Sequence, residues 1–200
     1  MIHSFPPDII PESGCRLPLP DRTALDNEGK AMYDRMANFE NGAIMGLRGP
    51  SALTLHSPGI TKLSLHLNNY LRFETDFSGA IRELVILVAA REMDSQFEWA
   101  AHEPQALREG VAQGTINAIK FGEQTEGLPD EHALIIDYGR QVLQNHRVKP
   151  ETFSRLKTAY GAKGVVDLAT LLGNYLTLAV LLVTVDAQVP ENDLEELPIP

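Results

Sequence analysis

The chain has 200 residues, 44% of them hydrophobic, and its 27 acidic against 17 basic residues give a formal charge of -10. This length suits one domain with a sizeable core. An acidic surface repels nucleic-acid phosphates and anionic lipids, so we expect neither nucleic acid nor membrane as a partner. The single cysteine, Cys15, excludes an internal disulfide and a dithiol redox pair within the chain.

The two ends of the chain are rich in proline. Five prolines fall within residues 1–21, and because proline blocks helix propagation we expect an extended N-terminal arm there. The arm begins without the basic start and apolar run of a signal peptide, so the expected compartment is the cytoplasm. We expect residues 22–190 to form a single helical domain and residues 191–200 to form an acidic, proline-rich, loosely ordered tail.

Between the ends, capping residues precede apolar segments of helical period, and glycines or prolines follow them. In the helix at 59–72 the candidate core residues are Leu63, Leu65, Leu67, Tyr70 and Leu71. No window alternates with period two, so the predicted fold class is all-α. The predicted helices are about 21–38, 51–56, 59–72, 79–92, 96–109, 115–121, 130–145, 150–160 and 164–185.

The longest apolar stretch runs from Val165 to Val185, and Asp167, Gly173 and Asn174 are among the residues that interrupt it. A membrane-spanning helix has few such interruptions, so this pattern indicates a core helix buried in a soluble protein.

Three residues carry the candidate chemistry. Glu98 and His102 are four positions apart on one predicted helix, so their side chains share a face. Glu83 lies within the apolar helix before it, where a carboxylate is costly unless it has a partner. A short link at Asp94 and Ser95 folds the two helices into a hairpin, and Glu83 then faces the Glu98–His102 pair. Two carboxyl groups and an imidazole form an acid/base set, since burial and neighbouring charge shift their pKa values towards neutrality.

Two other interpretations of these residues stay open. A glutamate and a histidine at this spacing also form an ordinary exposed pair on a helix surface. With the second glutamate they also resemble a ligand set for zinc or iron. No second histidine lies nearby and no His-Glu-x-x-His pattern occurs, so we expect no metal.

The segment RELVILVAAREMDSQFEWAAHEPQALREGV resembles the signature of the carboxymuconolactone decarboxylase family, which includes the alkylhydroperoxidase-D-like proteins. The redox branch of that family has Glu, eleven residues, Cys, two residues, Cys, three residues and His. At the same spacing this chain has Glu83, Ser95, Glu98 and His102, so both cysteine positions are replaced. HSPGI at 56–60 and LLGNYLTLAVLLVTV at 171–185 extend the resemblance, which covers about residues 45–190.

The resemblance implies an AhpD-like helical bundle of the cysteine-less branch, assembled as a homo-oligomer, a trimer or a hexamer. Without thiols, thiol peroxidase activity is not expected. The expected activity is that of a cofactor-free lyase, a decarboxylase acting by acid/base chemistry on a small lactone acid from aromatic compound degradation. We expect His102 to donate or shuttle the proton, Glu98 to tune it or donate directly, and Glu83 to orient His102 or relay a proton.

Other polar and aromatic residues are candidates for substrate binding, although packing or surface roles are their default interpretation. Arg82 and Arg91 flank the central helix and have the charge to bind a substrate carboxylate. Asn174, in the apolar helix, is either a satisfied core group or pocket lining. The predicted substrate-binding residues are Trp99, His56, Tyr70, Arg82 and Tyr175.

Two further functions are compatible with the same residues. One is an oxidoreductase related to the peroxidases that uses a metal or another residue in place of thiols. The other is a non-catalytic oligomeric binding protein, because the absence of both cysteines is also compatible with a loss of catalytic activity.

Overall fold

The computed structural model describes residues 5–38, 45–189 and 196–198. Within these ranges the fold is all-α, as predicted, and the only strand-like feature is an isolated bridge between Ile10 and Cys15. A π-helical segment, Tyr70–Glu74, and short 3-10 turns connect some of the helices. The helices are α1 Asn27–Ala37, α2 Pro50–Leu53, α3 Pro58–Asn69, α4 Gly79–Glu92, α5 Gln96–Arg108, α6 Gln113–Lys120, α7 Asp130–Asn145 and α8 Pro150–Thr184.

Cap residues explain where the helices begin. Ser78 accepts a hydrogen bond from the backbone N–H of Ile81, and α4 starts at the next residue, as predicted. The helix predicted over 21–38 is instead a 3-10 turn, Arg22–Ala24, followed by α1. Two aspartates cause the division, because Asp21 caps the turn and Asp26 accepts from the N–H of Gly29 to start α1.

The chain divides into two compact units. The first unit comprises Met1–Tyr70 and Val180–Asn192, and the second comprises Leu71–Ala179 and Asp193–Pro200. In the first unit, α1 packs its methionines into a cluster of Met32, Met36, Ala52 and Leu55. The second unit contains α4 to α7 and most of α8.

Residues 5–21 of the predicted N-terminal arm contain no helix, but they do not form a simple extended arm. The N–H of Ile10 donates to the carbonyl of Cys15 (2.9 Å), which closes a tight turn. Cys15 is buried, and its thiol donates to the carbonyl of Leu17 (3.2 Å). Farther along, the N–H of Arg16 donates to the carbonyl of Val185 (2.8 Å), also in the first unit. These backbone bonds fasten the segment to its own unit.

Part of the predicted loose tail is held in place. Leu197 is buried, and its backbone N–H and carbonyl each bond to the side-chain amide of Gln96 at 2.8 Å. A primary amide offers one acceptor and two donors, so one glutamine satisfies both groups of a peptide. Residues 191–195, 199 and 200, also part of the predicted tail, lie outside the described residues.

The predicted core of α3 is only partly correct. Leu71 is buried and Leu65 is half-buried, but Leu63 and Leu67 are exposed by 71% and 38%. The buried face of α3 contains Thr61, and a residue two positions farther along a helix points to roughly the opposite side. The leucines are too closely spaced to lie on one face of the helix, so the sequence alone does not indicate which of them are buried.

The centre of the second unit is α4, whose residues from Leu84 to Ala90 are all buried. It packs against α5, α6 and α7. Close approach of α7 depends on Gly139, because a Cβ there would lie 2.5 Å from Cγ1 of Val88. A helix buried on every side can keep a carboxylate such as Glu83 only by giving it a partner.

The two helices predicted at 150–160 and 164–185 are both present within Pro150–Thr184, which carries the single label α8, and they meet at a break at Gly161, as predicted. Gly161 interrupts it with φ 67° and ψ -175°, a conformation that residues with a Cβ almost never adopt. By length and composition alone α8 is apolar enough to cross a membrane, but 44% of its most apolar window is buried in the protein. Core helices of soluble proteins pass the same test, so this feature is weak support for a membrane span.

A pair of glycine substitutions in α8 tests this account of the kink. Gly161→Ala forces a Cβ into the unfavourable conformation and should lower the free energy of unfolding by roughly 1–3 kcal/mol. Gly173→Ala is the matched control, because Gly173 is helical and a Cβ there meets no atom within 4 Å. The control should be neutral or up to about 1 kcal/mol more stable. Equal effects of the two changes in urea unfolding would contradict the account.

Candidate active site

A helical hairpin brings the three predicted residues together. Glu83 lies on α4, and Glu98 and His102 lie on α5. Asp94 has a left-handed backbone (φ 47°), and the N–H of Ser95 donates to the carbonyl of Ala90 (2.8 Å), which closes the turn. Ser95 then caps α5 through its side chain. The hairpin predicted at Asp94–Ser95 is therefore present, and it places the carboxyl group of Glu83 against α5.

The imidazole of His102 lies between the two carboxyl groups. Its Nδ1 is 2.7 Å from Oε2 of Glu83, and its Nε2 is 3.4 Å from Oε2 of Glu98. All three residues are at most 4% exposed. An ionised carboxylate can only accept, so Nδ1–H donates to Glu83 and fixes the ring orientation. This arrangement rules out the alternative of an exposed surface pair.

The electrostatic environment sets Glu98 apart. Burial is the largest effect and raises the pKa of its carboxyl group, and the charge of Glu83 adds to the rise. The charges of His102 and Arg72 oppose it. Among buried side-chain atoms of the described residues, Oε1 of Glu98 is one of two without a hydrogen-bond partner. The site therefore contains a buried carboxyl group whose pKa is raised and whose Oε1 makes no hydrogen bond to the protein.

Tyr175, a predicted substrate-binding residue on α8, completes one wall of the site. Its ring meets the imidazole of His102 edge to face, with 5.3 Å between the ring centroids. Burial raises the pKa of its hydroxyl well above the usual range, so the side chain is a neutral phenol at physiological pH. Asn174, the residue before it, is buried and has a partner.

Trp99 belongs to a different cluster. Its Nε1–H donates to Oε2 of Glu103 (2.9 Å), and Nζ of Lys120 is 6.0 Å from the centroid of the Trp99 ring system. All three side chains are buried. Trp99 and Glu103 share a helix face that is turned by about 100° from the face of Glu98 and His102. The burial of Trp99 is therefore explained by its packing in this second cluster.

The predicted arginines are both engaged locally. Arg82 is half-buried and donates to the carbonyl of Phe77 (3.1 Å), while its charge also acts on the hydroxyl of Tyr175. Arg91 pairs with Asp94 at the hairpin turn. Arg82 therefore lies near the site, and Arg91 stabilises the turn that builds it.

His56 and Tyr70 belong to the first unit. The ring of His56 is exposed, and its Nε2 lies 2.9 Å from the carbonyl oxygen of Pro18. Tyr70 is half-buried at the start of the π-helical segment. Their suggested contribution to substrate binding stays a prediction.

One charged residue of the site was missed by sequence reasoning. Arg72 is half-buried on the π-helical segment, and its positive charge acts on both Glu98 and Tyr175. No motif marks it, because the stretch YLRFE reads as the ordinary end of a helix. π-helical turns recur at functional sites, but they leave no recognisable sequence pattern.

The three central residues do not form a metal site. No group of three His, Cys, Asp or Glu side chains with suitable geometry occurs among the residues the structure describes. The two nitrogens of His102 face oxygens of different glutamates, on opposite sides of the ring, so the donors do not converge on one point. This geometry favours movement of a proton over coordination of an ion.

Comparison with models of known protein families and with curated proteins finds no match to this chain. The resemblance to the carboxymuconolactone decarboxylase family therefore rests on the sequence motifs alone.

The pH dependence of stability tests the environment of Glu98. Its pKa is raised in the folded protein, so the fold carries no penalty below the ordinary value of 4.5 and loses stability as the pH rises from there towards the folded pKa. Glu98→Gln cannot ionise and escapes this loss. The stability of the variant relative to the native protein should therefore rise with pH in that window, by at most about 1.4 kcal/mol per pH unit.

The measurement is the free energy of unfolding at a series of pH values. Because Gln has nearly the same volume, altered packing adds only an offset that does not depend on pH. A difference that stays constant or falls as the pH rises would show that Glu98 is not destabilised by burial.

Proposed function

We propose that the chain is a cofactor-free enzyme that moves a proton, a decarboxylase-like lyase of the carboxymuconolactone decarboxylase family acting on a small lactone acid. One observation carries the proposal: a buried imidazole lies between two carboxyl groups, and burial raises the pKa of one of them, Glu98. A carboxyl group whose pKa is raised by burial, and which lies beside a base able to replace its proton, is suited to general acid catalysis.

In the proposed reaction, the bond between the substrate and its carboxylate breaks and carbon dioxide leaves. The electron pair of that bond enters the unsaturated lactone, which holds it as a dienolate, so no organic cofactor is needed. Glu98 then gives its proton to the carbon, and a C–H bond forms. The resulting Glu98 carboxylate regains a proton through His102, and the net reaction consumes one proton from solvent.

The geometry supports separate roles for the two glutamates. Oε1 of Glu98 is free to face a substrate, while its Oε2 lies towards Nε2 of His102. Glu83 accepts a hydrogen bond from Nδ1–H of His102 and keeps the imidazole oriented. In this scheme Glu98 donates directly, His102 is the shuttle and Glu83 positions it.

Burial of the site also favours loss of carbon dioxide. A carboxylate carries concentrated charge, and the charge spreads over the lactone as the bond breaks. Surroundings that hydrate the carboxylate poorly therefore raise the energy of the starting state more than that of the transition state. Tyr175, a neutral phenol, and the apolar residues of α4 supply such surroundings.

The position of the missing cysteines agrees with an acid/base role. Ser95 stands at the first cysteine position, and its hydroxyl accepts from the N–H of Glu98 as a helix cap. Glu98 itself stands at the second position. Cys15 is buried in the first unit, where its thiol is hydrogen-bonded to the backbone. Thiol peroxidase chemistry has no support from these residues.

The homo-oligomer, a trimer or a hexamer in the cytoplasm, remains part of the proposal. Exposed large apolar side chains on α3 and α8 are compatible with it, among them Leu63 and Val166, which are 71% and 64% exposed.

Release of carbon dioxide from a panel of small unsaturated lactone acids tests the proposed function. Glu98→Gln and His102→Gln should each lower kcat by about 10²- to 10⁴-fold, since each removes one proton carrier. Glu103→Gln is the matched control, because it neutralises another buried carboxyl group of α5 that bonds to Trp99 and not to His102. Activity that survives in both site variants, or that is lost equally in the control, would contradict the assignment.

A further inference from the structure

An apolar cavity of about 340 Å³ lies between α7 and α8. Tyr138 and Val142 line it from α7, and residues on both sides of the break at Gly161 line it from α8. Phe153, which precedes the break, is 47% exposed and therefore lies at the mouth of the cavity, where a molecule can enter from solvent. All the lining residues belong to the second unit.

The sequence of α8 explains why space is left here. The lining residues after the break recur at positions 165, 169, 172, 173 and 176, which share one face of a helix. Two of them are small, Ala169 and Gly173, and a Cβ on Gly173 would meet no atom within 4 Å. A larger side chain at either position would take up part of this space.

Tyr138 is the only polar side chain among the described residues that line the cavity. It is 6% exposed, yet its hydroxyl makes no hydrogen bond with any residue that the structure describes. By contrast, the hydroxyl of Tyr160 donates to Glu131 at 2.8 Å. Burial raises the pKa of Tyr138 to about 12, so its hydroxyl keeps its proton at physiological pH and remains a donor. A buried hydroxyl without a partner is costly, and a ligand in the cavity would supply that partner.

The cavity is separate from the acid/base site. Successive residues of a helix are turned by about 100°, so Tyr175 is roughly 100° away from the centre of the face that lines the cavity. Tyr175 is the residue of α8 whose ring meets the imidazole of His102. Neither Glu83, Glu98 nor His102 lines the cavity. The cavity and the contact with His102 therefore lie on adjacent faces of α8.

The size and lining of the cavity decide which ligand fits. No charged residue lines it in the part of the chain that the structure describes, so a charge on the ligand would be buried without a partner. Its volume equals that of a cube of about 7 Å, whereas an α-helix with its side chains is about 10 Å across, so a helix of a second copy is too large. A cavity of about 150 Å³ already holds benzene, so there is room here for one ring with a short substituent.

We propose that this cavity is a binding site for a small neutral molecule, one ring that carries a single hydroxyl or carbonyl group, and that this group pairs with the hydroxyl of Tyr138. The rest of the ligand exchanges contact with water for contact with apolar side chains, including Leu172 and Leu176. The proposal does not depend on the proposed lyase function, because the cavity shares no residue with the Glu83, His102 and Glu98 cluster.

Titration with 4-ethylphenol tests the proposal, and ethylbenzene is the counterpart that lacks the hydroxyl. NMR of the whole chain should show saturable binding of one molecule of each, with a dissociation constant of about 1 mM or below for 4-ethylphenol. Tyr138→Phe should weaken binding of 4-ethylphenol by roughly 2- to 10-fold, the effect of one hydrogen bond, and leave binding of ethylbenzene unchanged. The charged 4-ethylbenzoate should bind at least about tenfold more weakly than 4-ethylphenol.

Two alanine substitutions locate the site. Ala169→Phe puts a ring into the cavity and should weaken binding of both ligands by at least about tenfold. Ala159→Phe adds the same ring to an exposed alanine of α8 that does not line the cavity, so this control should bind like the native protein. If Ala169→Phe does not fold, nuclear Overhauser contacts from the ligand to the methyl groups of Leu172 and Leu176 locate the ligand in the native protein.

The contrary results are equally specific. The proposal is overturned if 4-ethylphenol does not saturate, if Tyr138→Phe binds it unchanged, or if its contacts are with methyl groups outside the cavity. An oligomeric native protein whose Ala169→Phe variant is monomeric would show that a second copy occupies the cavity, which also overturns the proposal. His102→Gln should bind 4-ethylphenol like the native protein, and loss of binding there would place the ligand in the acid/base site and overturn the proposal as well.

Discussion

The contact between His102 and Glu83 is the interaction on which the candidate site depends. Two carboxyl groups and an imidazole are withdrawn from water in the middle of an apolar helical hairpin, and such burial costs several kcal/mol for each unpaired charge. The 2.7 Å hydrogen bond from Nδ1 to Glu83 offsets part of this cost and holds the ring in one orientation. Without it, the imidazole has no fixed relation to Glu98, and the buried Glu83 has no partner.

The packing of the surrounding helices positions Glu83 and His102 for this contact. α4 is buried on nearly every side, and Gly139 lets α7 pack closely against it. The turn at Asp94 and the cap at Ser95 set α5 at the correct register. Since residues four apart on a helix lie on one face, this register brings Glu98 and His102 to Glu83 together. A site held by two packed helices keeps its geometry better than one held by loops.

Much of this arrangement was predictable from local rules. The limits of α4 and α7 follow from a serine cap and from proline and glycine punctuation, and the hairpin follows from two helices joined by a very short link. The spacing of Glu83, Glu98 and His102 then forces the cluster. These features depend on residues that are close in sequence, so they can be predicted from a single sequence.

Features that depend on distant packing were not predictable. Leu63 and Leu67 look like core residues, but their exposure is decided by which face of α3 turns inward. Trp99 is adjacent to Glu98 in sequence, yet its indole bonds to Glu103 on the neighbouring face of the helix. Arg72 lies on a π-helical turn, and such turns have no recognisable sequence motif. The residues that a sequence misses are those whose partners come from elsewhere in the fold.

The protonation state of Glu98 tests the central claim most directly. Carbon-13 NMR of the glutamate side-chain carboxyl groups, with the Glu98 signal assigned through Glu98→Gln, follows its titration in the native protein. The account predicts a midpoint clearly above the ordinary glutamate value of 4.5, because burial outweighs the opposing charges of His102 and Arg72. A midpoint at or below 4.5 would mean that Glu98 is an ordinary ionised carboxylate and cannot be the proton donor.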